Sequence, residues 1–347
     1  MCILILLEGR HKKKSLVITK VDNPPIGVLM VNLGSPASPS IDDVHNYLKE
    51  FLSDPAVIQV PKRKWWFILN GIVLPIRAPK SAALYQRVWT SEGSPLVATG
   101  NKIASQLQSM LGSNYKIVSA MRYGAPSLLE KINELTDAGC REIFCLSFFP
   151  QYSKTTMGSV IDAVKNISKL YVAEPNFCFL KNYSKNALYI NALKNKIITE
   201  GNVQPDETLV VSFHGIPKSY VLKGDKYQQF CEETYSSLTV ALNLKGDQSI
   251  LTYQSRFGDE EWLKPYTDEV IIQLANDKKK VAIICPGFPV DCLETLDEIN
   301  VELRHVYDSH GGTQFRYIPC LNTDEIWLEA LKQFILTRPT QSDFESI

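Results

Sequence analysis

The sequence has 347 residues, 45% of them hydrophobic and 21% charged, which excludes a disordered chain and favours a globular one. Lysine and arginine together number 37, as do aspartate and glutamate, so no excess positive charge attracts nucleic acid. No apolar run reaches the ~18 residues that a membrane-spanning helix requires. A chain of this length favours two domains of ordinary size.

The first predicted elements are a leader, a strand and a helix. We expect residues 1–24 to form an N-terminal leader that can be disordered, because their short apolar start precedes a basic run, the reverse of a signal peptide. The run IGVLMVNLG at 26–34 predicts a strand buried on both faces. Ser40 then has the position of a helix N-cap, since Asp42 and Asp43 follow in the first turn.

The alternation of apolar strand and amphipathic helix recurs along the chain. Further strand-like runs lie at 115–124, 141–150, 208–217, 247–258 and 279–288. This order predicts an α/β fold with two similar Rossmann-like domains, whose parallel sheets are flanked by helices and face a cleft. The predicted units are a first domain at 25–170 with a lip region near 60–96, a second domain at 171–322, and a C-terminal helix at 323–347 that packs back on the first domain.

The eight cysteines indicate a reducing compartment. None forms a C-x-x-C pair, and most lie in apolar, strand-like runs, as buried reduced thiols do. They also give no clustered ligands for zinc or an iron–sulfur centre. The sequence therefore predicts a cytoplasmic protein and leaves peripheral contact with the inner membrane open.

Among five histidines, His214 has the position that best indicates function. It follows the apolar run at 209–213 and precedes Gly215, which puts an imidazole at the carboxyl end of a strand, beside a residue that admits close approach of a ligand. A histidine satisfied within the core is an equally good interpretation of position alone. The other four are expected at the surface: His11, His45, His305 and His310.

A second candidate cluster follows the strand-like run at 279–288. Asp291, Glu294 and Glu298 are spaced i, i+3 and i+7, which would align three carboxylates along one face of a helix. A capped helix with a solvated acidic face is the plainer interpretation. The stripe nevertheless starts at the carboxyl end of a strand, where α/β proteins bind their ligands.

An imidazole and a carboxylate together suit the handling of a divalent cation. Fe(II) accepts both kinds of donor. Imidazole titrates near neutrality, so it can also remove protons from a substrate. The same pair would fit a hydrolase or a structural metal, so the residue types alone leave the reaction open.

Taken together, the motifs resemble the ferrochelatase family along nearly the whole chain. The matching segments are VNLGSP (31–36), the stretch at 65–96, AMRYG (120–124), FPQYSKTT (149–156), SFHGIP (212–217), TYQSRFGDEEWLKPYTDE (252–269) and CPGFPVDCLETLDEI (285–299). The form is similar to that of Gram-negative bacterial members, which usually lack an iron–sulfur cluster.

The resemblance implies an enzyme that inserts Fe(II) into protoporphyrin IX and releases two pyrrole protons, the terminal step of haem biosynthesis. Fe(II) is then a substrate, protohaem is the product, and neither a permanent cofactor nor an iron–sulfur cluster is expected. His214 and Glu294 are implied as the catalytic, metal-binding pair, with His214 as proton acceptor and Glu294 as the proton exit.

The resemblance also implies supporting residues around this pair. Asp291 and Glu298 match an acidic path for protons and metal. The implied porphyrin-binding residues are Arg122, Tyr123, Ser94, Tyr152 and Trp262. The aromatic stretch at 65–74, which would otherwise be read as ordinary core, is implied to be an apolar lip that receives the porphyrin and touches a membrane surface.

Other functions compete with this one. A chelatase for coproporphyrin or for cobalt is a related alternative, and the full motif set disfavours the cobalt enzymes. A non-catalytic two-domain ligand-binding protein would have the same fold but no need for both a base and a metal ligand. A dinucleotide oxidoreductase is disfavoured because no G-x-G-x-x-G follows a strand.

Overall fold

The computed structural model describes residues 24–338 and 344–346. Within them the strands are β1 (Ile26–Ser35), β2 (Tyr115–Gly124), β3 (Glu142–Ser147), β4 (Asn176–Leu180), β5 (Glu207–His214), β6 (Ser249–Gln254), β7 (Lys280–Ile284), β8 (Phe315–Tyr317) and β9 (Phe344–Ser346). Apart from Pro24, the predicted leader lies outside the described residues.

The α-helices of the described residues are α1 (Ile41–Leu52), α2 (Lys62–Ile68), α3 (Leu74–Val88), α4 (Pro95–Leu111), α5 (Leu128–Asp137), α6 (Ser159–Ser168), α7 (Ala187–Thr199), α8 (Lys218–Leu222), α9 (Tyr227–Ala241), α10 (Thr267–Asn276), α11 (Arg304–Ser309) and α12 (Glu325–Thr337). Three segments are π-helical: Leu69–Val73, Lys154–Gly158 and Glu294–Leu303. Short 3-10 turns cover Gly112–Asn114 and Gly246–Gln248.

The strands form two sheets. The first has the order β2-β1-β3-β4 with all four strands parallel, and β9 pairs antiparallel with β4. The second has the order β6-β5-β7-β8, again all parallel. The central strands β1 and β5 are buried along almost their whole length, which explains why their sequences are continuously apolar. The predicted α/β class, with two parallel sheets flanked by helices, is confirmed.

Three short strands, β4, β8 and β9, have no counterpart among the predicted ones. β9 lies within 323–347, where a C-terminal helix is predicted, whereas helix α12 ends at Thr337. β8 has three residues at the edge of its sheet, too few to show a periodic pattern. β4 lies beyond residue 170, where the predicted first domain ends, yet it pairs with β3. The first sheet therefore extends past the predicted boundary.

Local capping fixes the first helix as its sequence predicts. The Ser40 hydroxyl oxygen accepts a hydrogen bond of 3.2 Å from the Asp43 backbone N–H, and Asp42 and Asp43 occupy the first turn of α1. The acidic side chains there also complement the positive end of the helix dipole. The predicted N-cap is confirmed.

The C-terminal helix α12 packs between α4 and α7. Its Trp327 is fully buried, with ring centroids 6.2 Å from Tyr183, 5.9 Å from Tyr189 and 6.4 Å from Phe334. Large aromatic rings in such contacts bury much apolar area. We call the parts of the chain built on the first and on the second sheet the first half and the second half. Helix α12 joins these two halves on the side of α4. No helix in the described ranges is both long enough and apolar enough to cross a membrane.

The two halves also meet at residues 57–77, which run from the loop before α2 into α3. The Tyr220 hydroxyl donates to the Val57 carbonyl oxygen at 2.9 Å, and the Arg77 guanidinium lies 4.1 Å from the centroid of the Phe257 ring. These contacts tie the first half to helix α8, which follows β5, and to the loop that follows β6.

A buried ion pair closes the amino-terminal end of the second sheet. Arg316 donates to the Glu207 carboxylate at 2.5 and 3.1 Å, and the Glu207 side chain is only 1% exposed. We predict that Arg316→Gln lowers the free energy of unfolding by about 3 kcal/mol, because it leaves a buried carboxylate unpaired. Urea unfolding measures the change. Lys280→Gln, which breaks an exposed pair with Asp206, should leave stability nearly unchanged, and an equal loss in both variants would contradict the prediction.

Candidate active site

His214 is the last residue of β5 and is half-buried. Its Nδ1 lies 2.6 Å from the Gly215 carbonyl oxygen, and its own carbonyl oxygen accepts a hydrogen bond from the Tyr227 hydroxyl at 2.9 Å. Because a carbonyl oxygen can only accept, Nδ1 carries the proton in this contact and the Nε2 lone pair remains for a metal or a proton.

Gly215 allows the chain to pass close to the loop that follows β6. A Cβ atom at this position would lie 3.1 Å from the Gln254 carbonyl oxygen and 3.1 Å from Cε3 of Trp262. The Trp262 ring centroid is 6.3 Å from that of His214, and the Phe288 ring is 6.4 Å away from it. The imidazole is therefore flanked by two aromatic rings, one of which belongs to the predicted porphyrin-binding set.

Glu294 is the first residue of a ten-residue π-helix, Glu294–Leu303, and is half-buried. Burial, and secondly the negative charge of Glu294, raise the pKa of the Tyr47 hydroxyl on α1. Burial and the neighbouring Tyr47 and Glu294 raise the pKa of Tyr85 on α3 in the same way. Glu294 thus belongs to the second half, but its charge acts on side chains of the first half.

Glu298 lies one π-helical turn further along. Burial raises its pKa to about 7, and the charge of Glu294 adds to this effect. Acting against it, the Ser255 hydroxyl donates to Glu298 Oε2 at 2.6 Å. A carboxyl group with such a pKa is partly protonated at neutral pH, so it can take up and release protons there.

Asp291 does not lie on the helix with Glu294 and Glu298. It precedes the helix and is 8% exposed. Its carboxylate accepts hydrogen bonds from Thr295 Oγ1 at 3.0 Å, from Asn322 Nδ2 at 2.6 Å and from the Tyr317 hydroxyl. The expected alignment of three carboxylates along one helix face is therefore wrong, because these donors hold Asp291 in the turn before the helix begins. Its predicted part in a proton path stays a prediction.

Arg122 and Tyr123 share one carboxylate, that of Asp54. Arg122 Nη2 lies 2.6 Å and the Tyr123 hydroxyl 2.8 Å from Asp54 Oδ2, and the Ser159 hydroxyl donates to the same oxygen at 2.6 Å. Burial acts to raise the pKa of Asp54, but these hydrogen bonds and the charge of Arg122 lower it on balance. The network fixes both side chains at the end of β2, where the Tyr123 ring lies 5.1 Å from that of Phe51.

The remaining two predicted porphyrin-binding residues lie on separate elements of the first half. Ser94 is buried and is the N-cap residue of α4, with its carbonyl oxygen accepting from Ala98. Tyr152 is half-buried, just before the π-helical segment 154–158, and its hydroxyl packs against Gly158. The structure thus brings together His214 and Trp262, and separately Arg122 and Tyr123. Glu294 and Glu298 lie on the π-helix Glu294–Leu303, which we call the acidic helix.

Comparison with known proteins relates this geometry to a family. A sequence model of the ferrochelatase family matches residues 25–338. The chain belongs to the ferrochelatase family.

Individual ferrochelatases match over almost their whole length. The ferrochelatase of Hamiltonella defensa is 44% identical over 313 residues, covering 89% of this chain and 98% of that protein. The ferrochelatase of Actinobacillus pleuropneumoniae serotype 5b is 45% identical over 315 residues, covering 89% and 97%. The predicted family and enzyme class, a porphyrin metal chelatase of haem synthesis, are confirmed.

The fold is shared more widely than the sequence. SirB from Bacillus subtilis, solved with Fe3+, aligns with a TM-score of 0.54 over 90% of this chain and 95% of its own, at 9% identity. A likeness at that identity shows the fold alone. Within residues 24–338 and 344–346, no group of three or more His, Cys, Asp or Glu side chains is arranged to hold a metal ion.

Four side chains around the predicted ferrochelatase residues did not emerge from the sequence pattern: Asp54, Ser159, Gln254 and Ser255. Gln254 and Ser255 stand at the carboxyl end of β6, so the strand-end rule that singled out His214 could have found them. Asp54 lies in a turn after α1, and Ser159 begins α6. Neither has a local pattern that predicts a meeting with Arg122.

The pKa of Glu298 gives a pH-dependent contribution to stability. The folded state holds the Glu298 proton more tightly than the unfolded chain, whose pKa is near 4.5, so ionisation destabilises the fold as pH rises from 4.5 through about 7. We predict that Glu298→Gln, which cannot ionise, exceeds the wild type in free energy of unfolding by up to about 3 kcal/mol at pH 8. This advantage should disappear at pH 4.5.

Urea unfolding at both pH values measures the difference. The control is Glu174→Gln, an exposed loop position, which should show no such pH dependence. A Glu298→Gln variant that is destabilised equally at pH 4.5 and pH 8 would mean that the carboxylate is not held partly protonated.

Proposed function

We propose that this ferrochelatase inserts Fe(II) into protoporphyrin IX, with His214 and Glu294 at the reacting centre. The observation that carries the proposal is the state of His214, whose Nδ1 is held by the Gly215 carbonyl oxygen while Nε2 keeps its lone pair. β5 and β7 are adjacent parallel strands, so His214 and the acidic segment after β7 leave the sheet at the same edge. Fe(II) is a substrate here, and no resident cofactor or iron–sulfur cluster is part of the proposal.

The reaction has two parts, metal delivery and proton removal, and they need different groups. Fe(II) binds imidazole nitrogen and carboxylate oxygen, so His214 and Glu294 serve as its protein donors before the pyrrole nitrogens take over. Each of two pyrrole nitrogens gives up a proton. Once Fe(II) has left Nε2 of His214, that nitrogen accepts the protons one at a time and passes each on before it takes the next. Glu294 and then Glu298 carry protons away, since the pKa of Glu298 near neutrality lets it bind and release them.

The porphyrin is assigned to the cleft between the halves. Trp262 beside His214 offers an aromatic face, and Arg122 with Tyr123 stands at the end of β2. Ser94 and Tyr152 complete the proposed lining, and Asp291 supports the start of the acidic helix through its hydrogen bonds. Protoporphyrin is favoured over coproporphyrin because the motifs have the form of Gram-negative bacterial members.

His214→Ala tests the central role. We predict that it lowers the rate of haem formation at least about a hundredfold, because it removes both a metal donor and the proton acceptor. Anaerobic incubation with Fe(II) and protoporphyrin IX, followed by the absorbance change from porphyrin to haem, measures the rate. Porphyrin binding, followed by fluorescence, should persist. His305→Ala, at an exposed position, is the matched control.

The outcomes separate the alternatives. A fully active His214→Ala would leave the family activity in place and remove our role for the histidine. A wild type inactive with protoporphyrin and Fe(II) but active with coproporphyrin III, or with Co(II), would establish the corresponding related chelatase. Failure with all of these substrates would favour a ligand-binding protein.

We also propose that the lip contacts a membrane surface from the cytoplasmic side. Four large apolar side chains in and just after the lip are exposed to solvent. Their exposed fractions are 58% for Trp66, 70% for Phe67, 57% for Ile72 and 54% for Ile76. The basic run Lys62–Lys64 precedes them, and the sequence has no acidic residue from 55 to 91. Aromatic rings beside cationic side chains suit the interface of an anionic bilayer. The free thiols of the described cysteines agree with a reducing compartment.

Substitution of the lip tests this contact. We predict that Trp66→Ser combined with Phe67→Ser reduces co-sedimentation with phosphatidylglycerol vesicles by about tenfold or more, because it removes the most exposed rings. Val240→Ser, which alters an 80% exposed apolar residue on α9, is the matched control and should bind like the wild type. Equal sedimentation of all three proteins would rule out the lip as the contact.

A further inference from the structure

Arg87 on α3 bridges two carboxylates of the second half. Its Nη2 atom lies 2.7 Å from Asp297 Oδ2 and 2.8 Å from Glu302 Oε1. The Asp297 side chain is 1% exposed, whereas that of Glu302 is 52% exposed. Both belong to the π-helix Glu294–Leu303, so one guanidinium of the first half grips the helix that carries Glu294 and Glu298.

The spacing of the two carboxylates matches a π-helix and not an α-helix. Asp297 and Glu302 are five residues apart, and a π-helix bonds each N–H to the carbonyl five residues back, so such residues lie on one side. In an α-helix, at 3.6 residues per turn, residues five apart point about 140° away from each other. One guanidinium nitrogen could not reach both carboxylates in that case.

The helix needs support of this kind because π-helical winding is less stable than α-helical winding and is seldom long. The chain returns to α-helix at Arg304, immediately after the segment that Arg87 grips. Rewinding the segment into an α-helix would rotate Glu298 relative to Glu294 and draw it away from the Ser255 hydroxyl, 2.6 Å from Oε2.

Burial makes the Arg87 contact stronger than an ordinary surface pair. Exposed ion pairs contribute little to stability. Asp297, however, is almost fully buried, and its Oδ1 has no hydrogen-bond partner among residues 24–338 and 344–346, so the carboxylate depends on Arg87 for compensation. Removing the guanidinium leaves a buried carboxylate with neither oxygen paired, a condition that a change in helix winding would relieve.

We propose that Arg87 is a positioning residue that holds residues 294–303 in π-helical winding and thereby keeps Glu294 and Glu298 aligned toward His214. The inference rests on the proposed function for its effect on activity. The effect on the helix does not depend on it.

The test combines hydrogen exchange with kinetics on the intact protein. In Arg87→Gln, backbone amides of residues 294–303 should exchange about tenfold faster. The kcat for Fe(II) insertion should fall by about tenfold or more, and the apparent KM for Fe(II) should rise, because a small displacement of reacting groups costs much rate. The KM for protoporphyrin should stay unchanged. Arg87→Lys, which keeps one cationic contact, should be intermediate.

Two further variants separate the proposed effect from misfolding and from a general loss of stability. Glu302→Gln removes only the exposed arm of the bridge and cannot prevent folding, so it should give a smaller change of the same kind. Arg316→Gln breaks a comparable buried pair at the opposite end of the second sheet and should lower stability without altering exchange at 294–303 or the KM for Fe(II).

Each outcome decides the matter. Unchanged exchange at 294–303 in Arg87→Gln overturns the proposal, as does faster exchange with unaltered kinetics, or the same kinetic defect in Arg316→Gln. A wild type without chelatase activity would refute the proposed function instead, while the exchange data would still show whether Arg87 holds the helix.

Discussion

The site depends on the parallel pairing of β5 with β7. Their register sets Val211 opposite Ile284, so both strands end at the same edge of the second sheet. His214 ends one strand, and the turn at Cys285–Pro289 leaves the other and leads into the acidic helix. Alternate side chains of both strands pack in different core clusters on the two faces of the sheet, so a slip by one residue would exchange every side chain between the two clusters. His214 and the segment that carries Glu294, eighty positions apart in sequence, therefore both follow the carboxyl ends of adjacent strands.

A site that binds a cation and then releases it is served by carboxylates that can change their charge near neutral pH. Burial and the charge of Glu294 raise the pKa of Glu298 to about 7, so its carboxyl group can be protonated or charged near neutral pH. The Ser255 hydroxyl limits the effect by stabilising the charged form. Asp291, in contrast, is held by neighbouring donors in the turn before the helix, so it serves the shape of the site more directly than its charge. Asp291 and Glu298, although seven residues apart in one acidic segment, thus differ in their surroundings: Asp291 is held by hydrogen-bond donors, and Glu298 has a raised pKa.

The sequence predicts the parts of this arrangement that depend on local pattern. Long buried strands, the Ser40 cap and the placement of His214 follow from apolar runs and the residues that end them. The π-helix does not, because Asp291, Glu294 and Glu298 have the spacing of an ordinary α-helix and the winding is selected by contacts with distant groups such as Arg87. The meeting of Asp54 with Arg122 is hidden for the same reason, since tertiary packing alone brings them together.

The contacts between the two halves become stronger along α3, from Arg77 to Arg87. The Arg77–Phe257 contact lies beside the lip, with the Phe257 ring 37% exposed, and exposed cation–π contacts contribute only about 0.5–1 kcal/mol. Arg87 further along the same helix holds a buried carboxylate, whose loss costs more. Separating the two halves would therefore cost less free energy at the Arg77 end of α3 than at the Arg87 end, where the guanidinium is paired with the helix Glu294–Leu303.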